Sequence, residues 1–187
     1  KDSSFKQRAL FDCWAIERNA LNYRGNNPII CHPPCRAWGK MSHLATNVRD
    51  GEPELALWSI EKVRANGGIL EHPMGSKLFG RYLPVTGNVD KFGGFTVVID
   101  QYDFGHVAHK KTYLYFCGLT LEQLPSLPSP DTSLHYCEKG KRRSINGNVK
   151  GTTRCTQYQR EYTPCKLIDF FERVLSIILD NKSRGLG

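Results

Sequence analysis

At 187 residues, with 40% hydrophobic and 24% charged content, the chain has the length and composition to bury one substantial core, and a single domain over 1–187 is expected. No run of about 18 apolar residues occurs, which excludes a membrane-spanning helix from the expectation. The net charge of +8 weights the reading toward a polyanionic partner, nucleic acid ahead of an anionic membrane surface.

Lys1 to Lys6 lacks the apolar core of a secretory signal, and the chain starts without methionine, as expected if its true start lies upstream. Seven cysteines, at spacings unlike those of a small secreted scaffold, then read as mostly reduced thiols in a cytoplasm.

Ala9 to Ile16 fits either a strand or a short helix. Arg24-Gly25-Asn26-Asn27-Pro28 carries a loop signal, and Pro28 to Cys31 reads as a short buried strand. The next residues, His32-Pro33-Pro34-Cys35-Arg36, cannot continue a ladder, because proline has no amide hydrogen to donate. The chain must turn there and present Cys35 at a strand's carboxyl end. Open α/β sheets border their ligand crevice at that edge, so Cys35 is the first candidate for chemistry.

Pro53-Glu54 opens a helix, since proline suits the first helical position and a carboxylate suits the positive end of the helix dipole. Ala56, Leu57, Ile60 and Val63 share one face, and Gly67-Gly68 closes the segment. Gly68 to Glu71 is a second short buried strand. Strand, helix and strand with tight connections make a βαβ unit with parallel strands, so both strand tips point the same way. Glu71 is thereby expected to meet Cys35 at one sheet edge.

Phe95 to Asp100 and Thr112 to Gly118 read as further strands from their β-branched and aromatic density. The loop between them holds His106, His109, Lys110 and Lys111. Leu119 to Leu124 suggests one or two helical turns, and about 125–160 reads as an irregular basic insertion. Lys139, Lys141, Arg142, Arg143, Lys150 and Arg154 lie in it, with no acid between Lys139 and Arg160, and suit phosphate contacts. Thr163-Pro164 caps a last helix to about Asn181, with Leu167, Phe170, Phe171, Val174, Ile177 and Ile178 as its buried face. The expected fold is α/β: a mainly parallel central sheet with flanking helices in a Rossmann-like three-layer architecture.

With these residues placed, the sequence resembles a reduced relative of the phage-type DNA cytosine-5 methyltransferase family. Pro33-Pro34-Cys35 is similar to the family's loop with the nucleophilic cysteine, and Leu70-Glu71-His72-Pro73 to the strand end with its catalytic glutamate. Phe104-Gly105 with Lys110-Lys111 and Tyr113-Leu114-Tyr115 resembles the later basic segment that approaches the base, and Thr163-Pro164 with the last helix resembles the closing segment. The resemblance implies a methyltransferase-type fold, S-adenosylmethionine as donor, DNA ahead of RNA or a free nucleotide as partner, and a bacterial host cell. The family's glycine-rich donor loop has no counterpart before Cys35, and the residue after the glutamate is His72 instead of asparagine.

The chemistry expected of the pair is specific. A thiolate adding to carbon 6 of a pyrimidine makes carbon 5 nucleophilic, and a carboxyl group at ring nitrogen 3 disperses the developing charge. Cys35 and Glu71 are the catalytic candidates. Pro34, Arg36, His72, His106, Lys110 and Lys111 are the substrate-binding candidates, and the strip in 139–154 is the nucleic-acid contact. Arg36, Lys110 or Lys111 would help Cys35 ionise. Glu71 could instead pair with Arg36 or Arg49, and Trp38 could stack on a base or belong to the core. Cys31, His32 and Cys35 with His106 and His109 raise zinc as an alternative. No metal is expected, however, because a strand-end Cys31 should point away from Cys35. The other function class is a binding protein of the same fold that recognises nucleic acid or a nucleotide without turning it over.

Overall fold

The computed structural model describes residues 4–9, 11–14, 18–130, 136–138, 141–143, 156 and 161–185. Its described residues gather into two compact units. One comprises segments of 14–98, 112–125 and 171–187, the other segments of 1–13, 99–111 and 126–170.

The larger unit is built on a strand, a helix and a strand. β1 (Ile29–Cys31) leads through α1 (Glu52–Asn66) to β2 (Gly68–Pro73), and the two strands pair in parallel with Cys31 opposite Leu70. α1 begins after Gly51, which takes a left-handed φ of 81° that favours glycine, and it carries Glu52, Pro53 and Glu54 in its first turn. It ends where Gly67 turns the chain at φ 71°. The Asn66 amide donates to the carbonyls of Gly25 and Asn27, tying the helix end to the loop that enters β1. Cys31, Ala56, Ile60, Val63, Leu70, Tyr115 and Cys117 pack together with Leu78, Phe79 and Leu83, so α1 covers one face of the sheet. The spacing of Ala56, Ile60 and Val63 in the sequence is that buried face.

The sheet has four strands in the order β1, β2, β4, β3, where β3 is Phe95–Asp100 and β4 is Lys111–Cys117. β4 runs antiparallel to β2, from Gly68 opposite Cys117 to Pro73 opposite Thr112. This corrects the expectation of a mainly parallel sheet: the fold is mixed α/β with a mostly antiparallel open sheet. The reason is the connection. Only residues 101–110 join β3 to β4, with one 3-10 turn at Gln101–Phe104, and a link without a crossover helix returns the chain antiparallel.

The last helix, α2 (Cys165–Ser183), agrees with its expected position and buries Leu167, Phe170, Phe171, Val174 and Ile178. Ile177 is half-buried instead. Lys182 donates to the carbonyls of Asn26 and Asn66, so the helix end is fastened beside β1 and α1. In the region read as irregular, β5 (Tyr136–Glu138) and β6 (Lys141–Arg143) form a small antiparallel pair. Ala9 to Ile16 carries no helix or strand among its described residues.

A half-buried polar network lies at the last turns of α1. Arg64 donates to the Asp90 carboxylate at 2.7 Å and to the Tyr82 carbonyl at 2.7 Å, and the Tyr115 hydroxyl donates to Asp90 at 2.9 Å. Burial alone would raise the Asp90 carboxyl, but Arg64, the Gly94 and Phe92 amides and Tyr115 together hold it below the usual carboxylate range. The chain from Leu83 to Gly94 is fixed to the sheet by these bonds.

Candidate functional site

The parallel register of β1 and β2 decides which side chains meet. Cys31 and Leu70 are opposite each other, and both belong to the core under α1. The next residues, His32 just past β1 and Glu71 on β2, therefore face away from α1. There the His32 Nδ1 lies 2.5 Å from Glu71 Oε2, and the imidazole sits 6.1 Å from the ring of Phe171 on α2. The Glu71 side chain is 11% exposed and that of His32 is 31% exposed, so the pair stands at the boundary between core and solvent.

Cys35 follows in a tight turn. Its carbonyl accepts from the Trp38 amide at 3.2 Å and the Gly39 amide at 2.6 Å, and a side chain at position 39 would stand 2.9 Å from that oxygen. The two thiols of the CHPPC stretch are thus unlike. Cys35 is exposed, whereas Cys31 is buried and burial pushes its thiol up to about 12, against a smaller opposing hydrogen bond from Ser59. Cys31 is a core residue and Cys35 is the accessible thiol.

The other residues of this edge are positioned by the two segments leaving the strands. Arg36 makes an ion pair with Glu52, its Nε donating to Oε2 at 3.0 Å. That bond is the largest of the influences lowering the Glu52 carboxyl, and it commits the cation next to Cys35 to the start of α1. Trp38 is half-buried against the core, its indole donates to the Pro53 carbonyl, and its own carbonyl accepts from Lys77 at 2.7 Å. His72 is fully buried on the α1 face, opposite Tyr113. Burial pushes its imidazole down to about 4, while the Glu71 charge and the Pro34 carbonyl oppose the shift. Pro34 itself is half-buried above it.

Both segments are basic. No Asp or Glu occurs in 36–49 or 72–89, whereas Arg36, Lys40, Arg49, Lys77 and Arg81 do. Lys77 Nζ donates to the Ser42 hydroxyl at 2.8 Å, and Gly75 stands against the stem of Lys40, so the two segments lie together. Met41, Leu44 and Met74 are exposed among them.

The remaining candidates belong to other segments of the chain. His106, Lys110 and Lys111 belong to the smaller unit. There the His106 ring bonds the Ala108 backbone, the Lys110 amide donates to Asp100 at 2.8 Å, and His109 pairs with Asp100 at 2.7 Å while stacking on Tyr102. Lys141, Arg142 and Arg143 form β6, and Lys139, Lys150 and Arg154 fall outside the described residues.

Sequence reasoning missed the pairing of Glu71 with His32. The signal was available: in a parallel pair, residues one past two in-register partners share a face. Asp100 and His109 were also missed as partners, because nothing in the local pattern links them.

Among the described residues, no group of three or more His, Cys, Asp or Glu is placed to hold a metal ion, and Cys31 and His32 face opposite sides of the sheet. For the donor that the resemblance implies, only the elements of the described residues before β1 bear on the fit. Among the described residues before β1 there are two 3-10 turns and no strand, and the one glycine of that stretch, Gly25, has the Tyr23 ring where a side chain would stand. These residues do not fit S-adenosylmethionine. No family model matches the chain, and neither a curated protein nor a solved structure matches it.

Proposed function

We propose that the chain is a pyrimidine-modifying transferase of the cytosine-5 methyltransferase-like kind, acting on DNA with Cys35 as nucleophile and Glu71 as the group at ring nitrogen 3. The observation that carries the reading is the parallel register of β1 and β2, which sets Glu71 one residue past the end of β1, level with the start of the turn that carries the accessible thiol. The basic segments 36–49 and 72–89 at that edge support a polyanionic substrate.

In this reaction the Cys35 thiolate forms a bond to carbon 6 while Glu71 gives a proton to nitrogen 3. The ring π-electrons shift to leave an enamine, nucleophilic at carbon 5. Carbon 5 takes an electrophile; its original hydrogen then leaves as a proton to solvent, the carbon 5–carbon 6 double bond re-forms as the thiolate is expelled, and nitrogen 3 returns its proton to Glu71. To reach the ring inside a duplex, the protein must turn the base out, at a cost of a few kcal/mol offset by phosphate contacts.

When the electrophile is a solvent proton, the same addition and reversal exchange the carbon 5 hydrogen with water, so the chemistry can be read without a donor. We expect a duplex carrying 5-tritiated cytosine to release tritium to water in the presence of the protein. Cys35→Ala should reduce release to background, and Glu71→Gln should slow it by about 10²–10⁴-fold. A protein that binds the duplex but releases no tritium contradicts the enzyme reading and leaves the second one, a nucleic-acid or nucleotide binder, which the unfitted donor residues favour.

A further inference from the structure

Resting on that reading, we propose that His32 is the positioning residue of Glu71: it fixes the plane of the carboxyl group that meets the pyrimidine. Three observations on the larger unit lead there. The Nδ1 to Oε2 distance is 2.5 Å, short even for a charge-assisted bond. The two residues are the first beyond an in-register parallel pair, so the backbone holds them side by side. The imidazole is also braced from behind, 6.1 Å from the Phe171 ring, which is itself fully buried.

The sequence adds a fourth constraint. Pro33 follows His32, and the residue before a proline is confined to extended backbone, which sets the direction in which its side chain leaves.

The chemical need is specific. A glutamate's last torsion is broad and roughly two-fold, so an untethered carboxyl presents its oxygens at many angles. A hydrogen bond to ring nitrogen 3 requires one oxygen in the plane of the ring, and a misplacement of about 1 Å can cost roughly a hundredfold in rate. A bond from His32 Nδ1–H to Oε2 removes that freedom and leaves Oε1, with the carboxyl's single proton, to meet nitrogen 3.

Donor-free tritium release tests this with three proteins: wild type, His32→Ala and His32→Asn. The Asn amide nitrogen reaches the position of Nδ1 but cannot carry a proton between partners. We expect His32→Ala to lower kcat for release by roughly 10- to 100-fold with little change in KM for the duplex, and His32→Asn to restore kcat to within about threefold of wild type. Thermal unfolding of each variant separates lost rate from lost fold, and the Asn rescue is a result that a merely structural role does not give. An active wild type with an unimpaired Ala variant overturns this inference alone, as does an Asn variant no faster than Ala. A wild type that releases no tritium overturns the proposed function, and this inference with it.

Discussion

His72 is the residue whose environment makes the sharpest demand. It is fully buried and neither ring nitrogen makes a hydrogen bond of ordinary geometry among the described residues. Burial pushes its pKa down to about 4 from the ordinary 6.5. Between those values the unfolded chain takes up a proton that the folded chain refuses, so the unfolded state binds more protons and folding stability falls as pH drops. The contribution is intact above about pH 6.5 and should have lost about 2–3 kcal/mol by pH 4.5. Urea unfolding at pH 7 and pH 4.5 measures it: His72→Leu, which cannot titrate, should lose about 2–3 kcal/mol less than wild type across that interval. Equal losses would mean that His72 is charged, or solvated, in the folded protein. The sequence offered His72 as a substrate-binding candidate beside Glu71, and strand alternation explains why it belongs to the core instead: Glu71 and His72 are consecutive in β2 and face opposite sides.

Among the elements, the β1, α1 and β2 unit carries the account, and its tightest point is Gly68. Its φ is 142°, and a side chain there would run into the backbone carbonyl of Ile29 on the neighbouring strand. Gly68→Ala should therefore part β1 from β2, costing about 2–4 kcal/mol in chemical unfolding and weakening the His32 and Glu71 pair with it. Unchanged stability would contradict the register. A second test concerns the network that holds 83–94. Asp90→Ala leaves the Arg64 guanidinium and the Tyr115 hydroxyl without their shared acceptor, and should cost about 2–4 kcal/mol.

The β1, α1 and β2 unit was legible because each piece has a local signature: β-branched residues before prolines, Pro53 at a helix start, paired glycines at its end. The antiparallel placement of β4 beside β2 was not, since strand order is a non-local choice that no periodicity encodes. The same holds within the candidate site. Cys35 could be singled out from the turn after a strand, and Glu71 from a strand expected to end there that in fact runs to Pro73, whereas the partners of Glu71 and Arg36 depend on which strands lie in register and where α1 begins.

For the whole molecule, the charge of +8 is the property that a polyanionic substrate would feel first. Arg36, Lys40, Arg49, Lys77 and Arg81 stand on the two acid-free segments leaving β1 and β2. If they contact phosphates, the logarithm of the DNA association constant should fall with the logarithm of salt concentration at a slope of about −3 to −5, and the double change Lys40→Glu with Lys77→Glu should weaken binding about 10- to 100-fold. A slope near zero would separate the molecule's charge from its function.

The central claim, that the thiol of Cys35 and the carboxyl of Glu71 work on one pyrimidine ring, is tested most directly by a crystal structure of the protein with a duplex carrying one unpaired cytosine. The account predicts the base turned out of the stack, with Cys35 Sγ about 3–3.5 Å from carbon 6 and a Glu71 oxygen about 2.6–3.2 Å from nitrogen 3. A base that remains stacked, or a turned-out ring touched by only one of the two residues, would contradict it.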